Sequence, residues 1–352
     1  MPPHTRRGGR LRILASGPLN TTGLPSLPPE LLHEIISYLS STPIPCLDWH
    51  VLSSNYLERS STLRALSQTC KRFRSVFLAL AWEHVEVCAS PKVSPLYKFK
   101  TRTWPATDSR FRLWSSQLAM DFARELVRQT EIITIRNPVL ALFVRTFSVV
   151  LSDYSAETLL PEFYRCLSLL PNLETLQVTR APSSLEKQLR AECLGHTLPS
   201  VRTLVLHTNA WPIVKCCPNV ERLHLGGVGY HYPSVQEWYQ YVPKLRVFVK
   251  LPIPWTHISA YVARFPDLVE MPPILVEYCN KMLPLETLRL LLKVGNLQRI
   301  DLVADGDRHQ QPEVMALVAA AQEVLRQTAD LVDGPQKCVT LKDGRGVFKF
   351  AI

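Results

Sequence analysis

The phrase PNLETLQV, residues 171–178, holds the pattern that decides the fold. A turn pair precedes an aliphatic residue, two polar residues, and two more aliphatics separated by one variable position. Four phrases share this form: PSVRTLVL (199–206), PNVERLHL (218–225), PKLRVFV (243–249) and GNLQRIDL (295–302). VRTFSVV (144–150) is an earlier variant and PDLVEM (266–271) a degraded one. The final aliphatics alternate as strand residues do, so each phrase predicts a strand that faces a common core.

The phrases recur along the chain at similar intervals. From 171 onwards their starts are separated by 28, 19, 25, 23 and 29 residues. Apolar stretches with helical spacing, such as ETLLPEFYRCLSLL, lie between them. A single strand-and-helix unit cannot bury its apolar side, so the units are expected to stack. We predict an α/β fold with one irregular strand-and-helix solenoid over residues 129–305. An ordinary α/β domain with coincidental leucine spacing is the alternative.

Composition indicates a largely globular chain. Its 352 residues suffice for a large domain plus a small one, with 46% hydrophobic and 20% charged residues. No run of 18 apolar residues occurs, so no membrane span is expected. The nine cysteines are odd in number, form no C-x-x-C pair, and follow no segment of the signal-peptide type. This usage favours reduced thiols in a cytoplasmic or nuclear protein.

The positive charge is concentrated in two segments. The net charge is +10, of which residues 1–29 carry +4 and residues 89–120 carry +5. Residues 1–23 are predicted to be a disordered basic tail, and residues 89–128 a basic connector ending in a helix over 113–128. Because the basicity belongs to these segments, it favours no folded nucleic-acid surface. A nucleic-acid-binding protein that uses tail and connector remains the alternative function.

Residues 24–88 are predicted to form a small helical module. Pro28 and Pro29 suit a helix start, and an apolar stripe follows that comprises Leu31, Leu32, Ile35, Ile36 and Leu39. After a loop over 40–61, one of Ser60, Ser61 and Thr62 is expected to cap the next helix. That helix carries one apolar face, which comprises Leu63, Leu66, Cys70, Phe73, Phe77 and Leu80. A module this small has a small hydrophobic core, so it is expected to pack against the next domain or against another protein.

Two further stretches complete the prediction. Ile132–Ile135 is predicted to be a short strand. Residues 306–352 are predicted to cap the solenoid with a helix over Val314–Val332 and a hairpin. Asp343-Gly344 between alternating apolar residues is the hairpin signal.

The helical module resembles an F-box. The resemblance covers about 50 residues, LPPELLHEIISYL and TLRALSQTCKRFRSVFLALAWEHV, and departs from the family in the long 40–61 segment. The whole arrangement is similar to the leucine-rich-repeat F-box proteins of fungi. The matching residues are predicted to bind an adaptor: Leu27, Pro28, Leu31, Ile35, Leu39, Leu63, Leu66, Cys70, Phe73 and Trp82.

The resemblance implies a substrate-recognition subunit of an SCF-type E3 ubiquitin ligase. The F-box would dock on a Skp-type adaptor and through it on a cullin scaffold, and the solenoid would present a protein target. Partner subunits would carry the ligase chemistry, so the chain itself is predicted to be a non-catalytic adaptor.

The remaining patterns do not build a chemical site. The glycines of HLGGVGYHY lack the G-x-G-x-x-G spacing of a phosphate cradle, and Asp305 and Asp307 lack the glycine and glutamate of a calcium loop. We therefore predict no catalytic, cofactor-binding or metal-binding residues; an enzyme with a site on the solenoid is the residual hypothesis. In TCKRFRSVFLALAW (69–82), a phosphate-gripping helix would need cations over more than one turn, whereas Lys71, Arg72 and Arg74 span one turn. Docking through its apolar row, with the cations mostly in water, is the preferred interpretation.

Overall fold

A computed structural model describes residues 23, 26–39, 54–87, 116–226, 239–249, 253–278, 281–304, 306, 310–328 and 336–352. The chain divides into two compact units. The first comprises Met1–Ser41 and Asn55–Ala81, and the second comprises Thr42–Ser54 and Trp82–Ile352. Within the described ranges, no helix combines the length and the apolar character that crossing a membrane requires.

The first unit is helical where it is described. Helix α1 spans Pro29–Ser37, with Pro28 at its N-cap as the sequence predicts. Helix α2 spans Ser54–Thr69 and α3 spans Lys71–Glu83, with a break at Cys70. The prediction that Ser60, Ser61 or Thr62 caps this helix is wrong, because α2 is already helical six residues earlier. The apolar series from Leu63 to Leu80 runs over both helices and passes the break at Cys70. The Sγ of Cys70 accepts the amide of Phe73 at 3.5 Å, which starts a new helix.

The second unit combines helices with parallel strands, so the expected mixed α/β class is confirmed. Its α-helices are α4 Ser116–Glu131, α5 Ala156–Ser168, α6 Glu186–Cys193, α7 Ile258–Arg264, α8 Leu285–Arg289 and α9 Pro312–Gln327. The strand predicted at Ile132–Ile135 is wrong, because Ile132–Arg136 forms a π-helical turn that continues α4. Its β-branched residues resemble a strand, but tertiary context overrides such a propensity.

The strands follow the phrases of the sequence. They are β1 His84–Val87, β2 Thr146–Val150, β3 Thr175–Arg180, β4 Thr203–His207, β5 Arg222–Gly226, β6 Val247–Val249, β7 Ile253–Pro254, β8 Ile274–Leu275, β9 Glu277–Tyr278, β10 Lys281–Met282, β11 Arg299–Val303, β12 Cys338–Asp343 and β13 Gly346–Ala351. Strands β1 to β6 pair in chain order, each parallel to the next. The remaining large sheet has the order β13-β12-β11-β8-β7, and β9 and β10 form a small antiparallel pair.

One residue of the degraded phrase PDLVEM joins the two large sheets. Glu270 forms single parallel bridges to Val247 in β6 and to Arg299 in β11. The phrase therefore contributes one bridging position where the others contribute a strand. Its chain then pairs again with β11 through β8, at Ile274 and Leu275.

Equivalent positions of successive phrases are linked by backbone hydrogen bonds. The amide of Arg202 donates to the carbonyl of Glu174 at 2.8 Å, and the amide of Glu221 donates to the carbonyl of Arg202 at 2.9 Å. The same relation runs through Glu83, Arg145, Glu174, Arg202, Glu221, Arg246, Val269, Gln298 and Cys338. The phrases thus stack in one register.

The asparagines of the turn pairs also serve the stacking. Asn172 Nδ2 donates to the carbonyl of Leu142 at 2.7 Å, and Asn219 Nδ2 donates to the carbonyl of Pro199 at 2.8 Å. Each of these hydrogen bonds contacts the turn of the preceding phrase. A donor at this position satisfies a carbonyl that no strand partner reaches.

Both faces of the parallel sheet are buried, which differs from the expected single core face. Phe147, Leu176, Leu204 and Leu223 stand in register on one face and are 0% exposed. The intervening row is mostly polar and equally enclosed: Glu86, Ser148, Gln177 and His224 are at most 7% exposed, and Val205 stands between the last two. Parallel sheets are commonly covered on both sides, so alternation in the sequence did not mean exposure to water.

The helix and the hairpin predicted in the C-terminal part are present, with other bounds than expected. Helix α9 ends at Gln327, and β12 and β13 form the antiparallel hairpin. The turn consists of Gly344 and Arg345, so Asp343 is the last residue of β12. Its Oδ1 accepts the amides of Arg345 at 2.8 Å and of Gly346 at 3.2 Å. Asp343 therefore stabilises the turn from the position that directly precedes it.

The pair Cys216-Cys217 lies in the core, since both residues are 0% exposed. Burial raises the pKa of Cys217, and burial also raises the pKa of Cys166 to about 12. Thiols in this condition stay protonated and are poor nucleophiles.

His207 predicts a pH-dependent stability of the second unit. Burial, and then the charge of Arg180, lowers the pKa of His207 to about 4, and its neutral Nδ1 accepts the amide of Asn209 at 3.3 Å. In the unfolded chain the ring binds its proton near pH 6.5. Between these values the unfolded state binds more protons, so the free energy of unfolding is expected to fall as the pH drops from 6.5 to 4.

Urea unfolding at pH steps measures this effect. The slope that His207 contributes should stay below about 1.4 kcal/mol per pH unit, because one ring exchanges at most one proton between the folded and unfolded states. His207→Asn is the matched control, since asparagine keeps a capping oxygen and does not titrate. Identical pH profiles for the two proteins would contradict the role assigned to His207.

Candidate functional site

Helix α1 presents apolar side chains on two sides. Leu32 and Ile36 are 1% and 5% exposed, and they anchor the helix in the first unit. Leu31, Ile35 and Tyr38 are 49%, 45% and 80% exposed. The spacing of these three residues, four and then three, places them on one stripe of the helix. We call Leu31, Ile35 and Tyr38 the α1 stripe; it is an apolar surface left in water on a small helical unit.

Two arginines hold α1 at both of its ends. Arg59 of α2 donates from Nη1 to the carbonyls of Leu39 at 2.9 Å and Ile36 at 3.3 Å, at the C-terminal end of α1. Arg72 of α3 donates from Nη2 to the carbonyl of Leu27 at 2.9 Å, just before α1 begins. A guanidinium at the C-terminal end also complements the helix dipole. The α1 stripe is therefore presented from a helix that is fixed at both ends.

The hydrogen bond of Arg72 corrects one expectation for TCKRFRSVFLALAW. Lys71 and Arg74 are exposed as expected, but Arg72 is partly buried and bonded to the backbone of Leu27. The apolar row of α3 turns inward, with Phe73 and Phe77 at 3% and 2% exposure. Their rings meet edge to face with centroids 4.9 Å apart. The described cations of this helix hence form no continuous basic face.

The ten residues predicted to bind an adaptor fall into three groups. Leu31, Ile35 and Pro28 are exposed, and Leu27, Leu39, Leu66 and Cys70 are partly buried. Leu63, Phe73 and Trp82 are 1%, 3% and 8% exposed, so their side chains are too enclosed to contact a partner directly. Trp82 also belongs to the second unit.

Three residues of this surface were missed by the sequence reasoning. Tyr38, Arg59 and Arg72 were not assigned to it. Tyr38 continues the spacing of Leu31 and Ile35, so the helical period could have found it. The partners of Arg59 and Arg72 lie 20 and 45 residues away, at Leu39 and Leu27, and no local pattern marks such bonds.

A cleft of about 570 Å³ lies between α4, the π-helical turn and the start of α5 in the second unit. Its exposed apolar side chains include Val127, Ile135 and Tyr154. Two of its arginines are already engaged, because Arg128 contacts Glu125 at 2.6 Å and Arg165 contacts Glu162 at 2.7 Å. A third arginine, Arg124, also lines the cleft.

Within the described ranges, few features indicate a catalytic or metal-binding site. No group of three metal-binding side chains occurs there. Gly227, Gly229, His231, Asp305 and Asp307, and the basic segments 1–22 and 88–115, lie outside the described residues. His224 is 7% exposed in β5, which suits a packing role.

Comparison with known proteins found no family model that matches the chain and no curated protein that matches it.

Proposed function

We propose that this chain is the substrate-recognition subunit of an SCF-type E3 ubiquitin ligase. The first unit is proposed to be an F-box module that docks a Skp-type adaptor and, through it, a cullin scaffold. The second unit is proposed to be a leucine-rich-repeat-like solenoid that presents a target protein. The chain itself would be non-catalytic and would act in the cytoplasm or nucleus.

The observation that carries this proposal is the α1 stripe. Leu31 and Ile35 are about half exposed, although they lie on a helix whose other side is buried. Burying the rest of each side chain contributes about 1 kcal/mol, and Tyr38 can add both an apolar ring and a hydroxyl. An apolar stripe at helical spacing is what a helix-in-groove interface uses.

The second unit supports the same proposal through its topology. Parallel strands that pair in chain order, with helices between them, are what stacked repeats produce. The backbone ladder from Glu83 to Cys338 links successive phrases. Repeat arrays of this kind offer long surfaces for protein targets.

Adaptor binding is tested by reversing the polarity of the α1 stripe. Leu31→Glu with Ile35→Glu should weaken binding to a recombinant Skp-type adaptor by about 100-fold or more, because two carboxylates would have to lose water in the interface. Glutamate at position 31 suits the helix dipole, whereas glutamate at position 35, in the last turn, opposes it by about 0.3–1 kcal/mol. Both side chains are about half exposed, so the helix should persist. Isothermal titration calorimetry on the full chain gives the affinity, and circular dichroism checks the fold.

Val127→Glu is the matched control. Val127 is 50% exposed on α4 of the second unit, which is close to the 45% of Ile35. The control should bind the adaptor as the unchanged chain does. Equal affinities for all three proteins, or no adaptor binding by the unchanged chain, would overturn the proposal.

A further inference from the structure

The hairpin β12–β13 ends the sheet on an open strand. Among the described residues, β13 pairs with β12 on one side and with no strand on the other. It is six residues long, Gly346–Ala351, and alternates between partly buried and exposed positions. Open strands of this length are pairing sites for other extended chains unless they are blocked.

The backbone hydrogen bonds of β12 decide which backbone groups of β13 face the open side. The amide of Cys338 donates to Gln298, and the carbonyl of Lys342 accepts from Ala304, so alternate residues of β12 point towards β11 and its continuation. Val339 and Leu341 then point towards β13, where they stand opposite Phe350 and Phe348. In an antiparallel ladder such opposed residues exchange their hydrogen bonds.

It follows that Val347, Lys349 and Ala351 direct their amides and carbonyls outwards. One contact supports this outward direction: Gln322 of α9 donates from Nε2 to the carbonyl of Ala351 at 2.9 Å. The outward groups of Val347 and Lys349 are spaced as a further antiparallel or parallel strand would need them.

The side chains along this edge are apolar and basic. Phe348 and Phe350 are partly buried and lie beside the fully buried Leu341 and Val339. Val347 is 60% exposed and Lys349 is exposed. Residues 336–352 hold Lys337, Lys342, Arg345 and Lys349 against Asp343, a net charge of +3. The edge therefore suits an extended segment that alternates apolar and acidic residues.

Three other candidate occupants fit this charge poorly: two basic segments of the same chain and a second copy of the hairpin. The segments 1–22 and 88–115 of the same chain carry +4 and +5. A second copy of the hairpin would bring another +3. We propose that β13 is a β-strand addition site for an acidic, extended segment of a partner protein. This inference goes beyond the proposed adaptor docking, since it concerns the opposite end of the sequence and a different partner.

Fluorescence polarisation with labelled peptides tests the proposal. The probe is the nonapeptide Ser-Glu-Val-Glu-Val-Glu-Val-Glu-Ser, and its counterpart carries lysine at every glutamate. The full chain should bind the acidic probe at least about tenfold more tightly than the basic one. Lys349→Pro should lower the affinity for the acidic probe at least about tenfold. Proline removes an outward amide and leaves the β12–β13 bonds intact.

Lys349→Glu is the second variant, and it should shift the preference towards the basic peptide without removing a backbone donor. Adaptor binding through α1 should be unchanged in both variants, which separates failure here from failure of the proposed function. Three outcomes would overturn the proposal. They are equal binding of the two peptides, full binding of the acidic probe by Lys349→Pro, and a dimer in sedimentation that Lys349→Pro dissociates.

Discussion

Phe147→Ala is expected to lower the free energy of unfolding of the second unit by about 3–5 kcal/mol. Phe147 is 0% exposed in β2, between Val85 of β1 and Leu176 of β3 in the sheet register. Its ring meets Phe163 of α5 edge to face, with centroids 5.9 Å apart. The substitution leaves a cavity where strand and helix meet, and close-packed neighbours refill such a cavity only in part.

Urea unfolding followed by circular dichroism measures this loss. Leu194→Ala is the control, because Leu194 is 81% exposed at the end of α6 and its removal should change the free energy by no more than about 0.5 kcal/mol. A loss below about 1 kcal/mol for Phe147→Ala would contradict the packing of β2 against α5.

The strands could be predicted because their apolar residues repeat at a fixed place in each phrase. Leu176, Leu204 and Leu223 occupy that place, and the structure pairs them directly with one another. The intervening row could not be predicted, since Ser148 and Gln177 look like solvent-facing residues in an alternating strand. Their burial depends on what covers the second face, which alternation within one strand does not encode.

The candidate site shows a similar division. The apolar stripe of α1 was evident from the spacing of its residues, but it is broad enough to cover two sides of the helix. Only the packing distinguishes Leu32 and Ile36, which point inwards, from Leu31 and Ile35, which do not. Periodicity locates an amphipathic helix, and its orientation against its neighbours needs the tertiary structure.

Phe73→Ala is expected to unfold the first unit within the full chain. Phe73 is 3% exposed, and its ring contacts Phe77 edge to face. Replacing a buried phenylalanine by alanine costs about 3–5 kcal/mol, which is about the whole stability that a helical unit of this size can have. The sequence alone placed Phe73 among the adaptor contacts, whereas its burial makes it part of the core of the first unit.

Hydrogen exchange with mass spectrometry distinguishes the two roles. If Phe73 supports the unit from inside, peptides from α2 and α3 lose protection in Phe73→Ala, and peptides from β2 to β5 keep theirs. Phe73→Leu should restore most of the protection and the adaptor binding, because leucine refills much of the volume. Normal protection in Phe73→Ala combined with lost adaptor binding would instead make Phe73 a direct contact. The α1 stripe would then be part of a larger interface that reaches the interior face of α3.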